Sequence, residues 1–346
     1  MVDSPFRLSY PSCAALLRDR LREPGPSAIQ LLAGPRQVGK TTLLLDLAGR
    51  SGARALYAAL DGPEAAQPGF WGRLWTRAED TARNRGSALL LLDEIQHLPD
   101  WSAKLKAEWD RLRRRRSPIR VVASGSSSLR LGTGARESLA GRFERLTLSH
   151  WSARDLSEVF RMPRREAALN AVRFGGYPGA VRFLRDRERW AAYVRDAIVE
   201  PALGKDLLSL APVRRPALLR QVFGVCADSP AQILSLHKMQ GRLGERGALE
   251  TIAHYLHLLE EAFLVAALEK HSRTALRRRA APPKVVALNN ALLAVSSPRG
   301  IPEPGAEPER FGRWVENACL AHAWNRGQQV TYWREDPLEV DGVLEG

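Results

Sequence analysis

Eight consecutive residues, Gly34-Pro35-Arg36-Gln37-Val38-Gly39-Lys40-Thr41, match G-x-x-x-x-G-K-[ST] at every fixed position. That spacing serves one chemistry, the grip on a polyphosphate. Glycines let backbone N–H groups close around phosphate oxygens, Lys40 would reach the β- and γ-phosphates, and the Thr41 hydroxyl would bind Mg²⁺. With Pro35, Arg36, Gln37, Val38 and Thr42 these residues form the expected ATP/ADP cradle. The flanks agree: Ser27 to Ala33 has the length and apolarity of a strand, and Thr42 to Arg50 continues as a helix. A chance match in a surface loop would lack that order.

A phosphate cradle alone could serve a kinase, a GTPase or an ATPase, so a second acidic element matters. Leu89-Leu90-Leu91-Leu92-Asp93-Glu94 supplies it. Four leucines predict a strand buried on both faces, with Asp93 at its carboxyl end to hold Mg²⁺ and Glu94 to polarise the attacking water. Helix capping is the other use for two such acids. A third strand, Ile119 to Ala123, runs into Ser124-Gly125-Ser126-Ser127-Ser128, where Ser124 is the candidate sensor of the γ-phosphate; a plain polar loop is the alternative. Downstream, Arg142 and Arg130 are candidates for a charge-stabilising finger, with surface solvation the simpler fate for Arg130.

These residues resemble a known group, the prokaryotic AAA-like P-loop ATPases. The resemblance is carried by Gly34 to Thr42, Leu89 to Gln96 and Ala123 to Ser127, and by Leu60-Asp61, Pro99-Asp100-Trp101, Leu139 to Arg142 and Gly175-Gly176-Tyr177-Pro178. It implies an α/β fold: a P-loop NTPase core with a parallel sheet and helices on both faces. A helical lid, a winged-helix-like segment and a C-terminal module similar to PD-(D/E)xK nucleases would follow. Glu316 and the pair Glu339 and Asp341 look like the opening acids of that module. Cleavage would also need a second acid and a lysine on the next strand. No such E-x-K occurs by Gly346, so a partial module without nuclease activity is expected. Relatives carry an aspartate near Asn289, where an amide keeps hydrogen bonding without the charge.

The elements that must position these groups divide as 1–149 for the core, 150–215 for the lid, 216–297 for the winged-helix-like domain and 298–346 for linker and partial module. Gly175 to Gly179 reads as a turn between lid helices, and Pro298 to Pro308 as a linker. Between Ala248 and Leu268, apolar residues at three- and four-residue spacing predict an amphipathic helix, with a strand beginning after Ala262.

The net charge of +14 invites a nucleic-acid partner, yet only seven of the 52 basic residues are lysine, an arginine bias that a GC-rich genome also produces. The arginines at 111 and 113–116 read as a solvated helix end, those at 277–279 as an exposed loop. Three scattered cysteines give neither a disulfide framework nor a zinc site. No uninterrupted apolar run of membrane-spanning length occurs, so no membrane partner and a cytoplasmic location are expected. The expectation for function is an ATP-binding, Mg²⁺-dependent ATPase working as a switch or motor on DNA or an unidentified protein, monomeric or in a ring. The alternative is a nucleotide-gated scaffold with negligible turnover.

Overall fold

Four consecutive leucines need cover on both sides. In the computed structural model of this chain, which describes residues 7–23, 28–125, 139, 141–210, 213–244, 249–272 and 281–345, they sit in a strand buried at every position. The chain forms two compact units. The first comprises Tyr10–Gly34 and Gly39–Leu148. Within it five parallel strands, β1 (Ile29–Ala33), β2 (Ala55–Ala59), β3 (Ala88–Asp93), β4 (Ile119–Ser124) and β5 (Phe143–Leu148), lie in the order β5-β1-β4-β3-β2.

Alternation along β3 divides its leucines between two cores. Leu90 and Leu92 pack with Leu74 and Trp75 of α3 (Phe70–Arg85) and with Leu105 and Trp109 of α4 (Trp101–Arg114). The opposite face is covered by α1 (Tyr10–Arg22) and α2 (Lys40–Ser51), whose Leu17, Leu43, Leu44 and Leu47 are buried. Each fully buried leucine contributes roughly 1.5–3 kcal/mol relative to exposure. This strand order has a functional consequence. With β4 between β1 and β3, the loop after Ala33, Ser124 and Asp93 leave the same edge of the sheet side by side.

The second unit comprises Met1–Ser9, Pro35–Val38 and Ser149–Gly346. Its α5 (Ala153–Phe160) starts on a reciprocal capping box between Ser152 and Asp155, and α6 (Arg164–Phe174) follows. Helix α7 (Arg187–Val194) runs on through two π-helical turns, Arg195–Val199 and Ala202–Asp206. Next come α8 (Pro216–Ala227), β6 (Gln232–Ile233), α9 (Leu236–Leu243), α10 (Leu249–Glu261), β7 (Val265–Leu268) and β8 (Lys284–Ala287). The three strands form an antiparallel sheet in the order β6-β8-β7. After α11 (Asn290–Ser296) and α12 (Pro308–Asn325), the antiparallel hairpin of β9 (Gln329–Glu335) and β10 (Leu338–Glu345) ends the described chain.

Two expected connectors prove to be anchored. At Gly175, φ is +70°, and a Cβ there would lie 1.8 Å from Asn289 Oδ1. The glycine therefore allows a backbone-to-side-chain approach as well as a turn. Asn289 Oδ1 accepts from the backbone N–H groups of Gly176 (3.2 Å) and Ala291 (3.1 Å), and its Nδ2 lies 3.2 Å from His150 Nδ1. The other ring nitrogen, Nε2, faces the Phe263 carbonyl at 3.0 Å and must be the N–H, so Nδ1 needs a donor. The Asn289 amide supplies that donor to a neutral ring, whereas an aspartate in its place would pair with a protonated one. In the stretch from Pro298 to Pro308, Glu303 is paired with Arg173, and Glu307 with Arg299 (2.6 Å) and Arg310 (2.9 Å). These ion pairs tie down a segment whose composition reads as a linker.

Candidate functional site

The turn from β1 into α2 is built on close backbone contact. Gly34 has φ +151°, and a Cβ on it would sit 2.2 Å from the Leu148 carbonyl oxygen, just past the last β1–β5 pair, Ala33 with Thr147. Gly39, at φ +101°, precedes the first residue of α2, so the first-turn N–H groups open toward the loop. Lys40 is 5% exposed and donates its Nζ to the Gly34 carbonyl at 3.0 Å, closing the cradle around an ammonium, while Thr41 and Thr42 are exposed. N–H groups, an ammonium and a hydroxyl within one turn fit a triphosphate with its Mg²⁺.

The tip of this loop, Pro35–Val38, belongs to the second unit. There Arg36 forms a two-pronged pair with Asp206, in the second π-helical turn, with Nη2 to Oδ1 at 2.9 Å. Trp151 Nε1 donates to the Val38 carbonyl at 2.9 Å, and Tyr193 Oη to Gln37 Oε1 at 3.3 Å. Arg36 is thus engaged by the protein itself, a use its place in the motif does not reveal.

At the end of β3, Asp93 is 3% exposed and both carboxylate oxygens accept hydrogen bonds. Oδ1 takes the Ser124 hydroxyl and the Glu94 N–H at 3.2 Å, and Oδ2 takes the Tyr57 hydroxyl at 2.9 Å. Glu94 turns out of the strand at φ +53°, in the left-handed region, and its N–H also lies 3.4 Å from Ser124 Oγ. The Gln96 amide donates to its carboxylate. Ser124 thus sits between the phosphate loop and the acids, bonded to Asp93. The downstream serines at 126–128 and Arg130 lie outside the described residues.

Arg142, expected as a finger, is placed away from this chain's own phosphate loop and is engaged by another helix. Arg142 lies at the start of β5, where its carbonyl accepts from the Ile29 N–H at 2.9 Å. The phosphate loop leaves the far end of β1, and five residues at about 3.3 Å each separate the two by roughly 16 Å. Its Nε donates to Asp110 Oδ1 at 2.9 Å, a bond that holds the Asp110 carboxyl below its ordinary range. The residue fastens β5 to α4. Arg111 is likewise taken up by Glu108 and Glu79, which removes it from the solvated cluster at that helix end.

Tyr57 was not legible as a site residue. Burial, and then its bond to Asp93, push the phenol well above the usual tyrosine range, so it stays a donor to the carboxylate at any physiological pH. Groups that orient a metal-binding carboxylate commonly matter 10–100-fold. Tyr57→Phe is therefore expected to raise the Mg²⁺ concentration for half-maximal ATP hydrolysis about tenfold, with kcat at saturating Mg²⁺ little changed. A metal titration of phosphate release checks it; an unmoved midpoint would reduce Tyr57 to packing.

A second constellation lies in the other unit. Lys284 of β8 is 1% exposed, and its Nζ meets Glu316 of α12 at 2.8 Å and both Glu339 and Asp341 of β10 at 2.9 Å. The three acids that resembled a nuclease's opening carboxylates thus converge on a lysine from an upstream strand. The Lys284 ammonium is driven above its ordinary value by these partners against the cost of burial. Glu316, the more enclosed acid, is raised by burial, while the Lys284 bond holds Asp341 low despite its own desolvation.

Comparison with known proteins places these features. The family model described as an AAA domain matches residues 26–157, and one described as a domain of unknown function matches 165–300. The uncharacterized proteins Rv2008c of Mycobacterium tuberculosis and Mb2031c of Mycobacterium bovis are each 32% identical over 343 residues, covering 96% of this chain and 70% of theirs. Among solved structures, the Thermotoga maritima RuvB Holliday junction branch migration motor superposes with TM-score 0.40 at 18% identity, over 87% of this chain and 92% of that one. The Aeropyrum pernix ORC1 protein in complex with DNA gives 0.37 at 15%, over 90% and 96%. Superpositions this loose carry no functional assignment. By its matched domain and its relatives along nearly the whole chain, the protein belongs to the prokaryotic AAA-like family of P-loop ATPases.

Proposed function

We propose that this chain hydrolyses ATP with Mg²⁺ and uses the cycle as a switch or motor on a DNA or protein partner. One observation carries the reading: the order β1-β4-β3 sets the Lys40 cradle, Ser124 and the Asp93–Glu94 pair along one edge of one sheet. Lys40 and the first turn of α2 bind the phosphates. Thr41 and Asp93 would hold Mg²⁺, which when bound would supply positive charge beside the phosphates. Ser124 and Tyr57 keep the Asp93 carboxylate oriented. Glu94 takes the proton from the attacking water, its backbone fixed by the bonds from its own N–H.

A second reading, a nucleotide-gated scaffold with negligible turnover, has a specific observation behind it. The Gln96 amide donates to one oxygen of the Glu94 carboxylate, a bond that competes with an attacking water for that oxygen. The partner class is part of the same question. The order α8, β6, α9, α10, β7, β8 with an antiparallel sheet supports reading this segment as a winged helix. Its third helix, α10, exposes Glu250, His254 and His257 and contains neither lysine nor arginine, which favours a protein contact over groove reading. The arginines at 277–279 lie outside the described residues. Among those described, no helix is long and apolar enough to cross a membrane.

The deciding experiment is phosphate release by the purified chain with Mg²⁺, with and without duplex DNA. Metal-dependent release is expected, and stimulation by DNA identifies the partner class. ATP binding with no release under either condition would replace the switch with the scaffold.

A further inference from the structure

The edge of the sheet opposite the phosphate loop carries a separate feature. Where β3 and β4 begin and α1 and α2 end, a cleft of about 550 Å³ is lined by Arg18, Arg22, Arg50, Arg54 and Arg120, and among the described residues no carboxylate lines it. Two of the five cations are compensated from outside the cleft, Arg22 by Asp19 at 3.7 Å and Arg50 by Asp46 at 2.8 Å. Arg18, Arg54 and Arg120 have no carboxylate partner among the described residues.

Arg120 is the informative member. Its Nη2 donates to the Glu23 carbonyl at 2.7 Å, yet Nε and Nη1, both shielded from solvent, have no acceptor among the described residues. Leaving N–H groups of a cation unsatisfied away from water is costly, so the guanidinium is poised for an acceptor that enters the cleft. Three uncompensated guanidiniums in one concavity, offering paired N–H groups, match the oxygens of phosphate better than those of any neutral ligand.

We propose that this cleft is a second anion site, distinct from the ATP cradle, that takes adjacent phosphate groups, with the phosphodiester backbone of a nucleic acid as the source favoured by the chain's charge of +14. A free polyphosphate presents the same oxygens, and the test separates the two. The arginine excess then has a defined place in the fold, on the unit that carries the phosphate-loop lysine.

The test uses the full chain carrying Lys40→Ala, so that the ATP cradle does not contribute, and reads binding without turnover. Fluorescein-labelled duplex DNA is followed by anisotropy from 50 to 200 mM salt, and tripolyphosphate by calorimetry. Arg18→Glu with Arg54→Glu is expected to weaken DNA binding at least about tenfold and to flatten the slope of log affinity against log salt by roughly 2. Arg54→Glu alone, at an exposed position, gives the same direction if the double variant fails to fold. Tripolyphosphate binding that the substitutions abolish, without DNA binding, supports the site and assigns it to free polyphosphate. Parent-like binding of both probes by the variants, or no binding of either by the parent protein, overturns the proposal.

Discussion

Glu94→Gln is expected to slow ATP hydrolysis by roughly 10²–10⁴-fold while ATP still binds. The amide has the shape of the carboxylate and keeps a hydrogen bond to water, but it cannot accept the proton that the attacking water must lose. Nothing in the phosphate cradle depends on that side chain. Lys40 turns to the Gly34 carbonyl, and Asp93 is held by Ser124 and Tyr57. Lys40→Ala, by contrast, is expected to lose binding and turnover together. A fluorescent ATP analogue measures the first and phosphate release the second. If Glu94→Gln releases phosphate at the parent's rate, the base lies elsewhere.

Lys284→Met should destabilise the second unit, toward the low end of the roughly 3–5 kcal/mol that follows when one partner of a buried ion pair is removed. The low end applies because Asp341 is 61% exposed and water screens it. Without the ammonium, Glu316, Glu339 and Asp341 face one another unpaired, and their mutual repulsion opens β10 from α12 and β8. The pH dependence follows from the shifts. Asp341, held below its ordinary 3.8, adds stability above that value and loses it as pH falls through the lowered one. Lys284, raised above 10.5, adds stability below that value and loses it as pH rises through the raised one. At neutral pH the parent's cluster is fully charged; on the acid side Glu316, raised by burial, takes up its proton before Asp341 does. The variant's deficit should therefore be full at pH 7 and shrink toward pH 4, as its carboxylates protonate. Urea midpoints at the two pH values measure this. An equal deficit at both would mean that packing, not charge, was lost.

The phosphate loop and the acids after β3 could be read from sequence because their chemistry requires neighbours along the chain. Gly34, Gly39, Lys40 and Thr41 act through adjoining backbone, and Asp93 and Glu94 through the strand that ends beneath them. What stayed hidden depends on pairing between distant segments. Tyr57 reaches Asp93 only because β2 lies beside β3 in a register that sets Tyr57 opposite Leu91 and Ala59 opposite Asp93. Lys284 and Glu316 are 32 residues apart and meet through β8 and α12. Arg142 stands close in sequence to the sensor strand, but parallel strands all run the same way. A residue that opens β5 is therefore at the wrong end of the sheet for the loop that closes β1. The amide at Asn289, read as a lost charge, is seen in the fold to bond the Gly176 and Ala291 N–H groups and to lie against His150.

Asp206 gives the Arg36 contact a further property. It sits in a π-helical turn, which holds more residues per turn than the α-helix on either side. Such a surplus can be handed from one turn to the next without breaking the helix or moving its ends. Each one-residue transfer would swing a side chain in the affected turn about 100° around the axis. Arg36 is therefore clasped by an acid whose direction is set by where a dislocation rests in a helix.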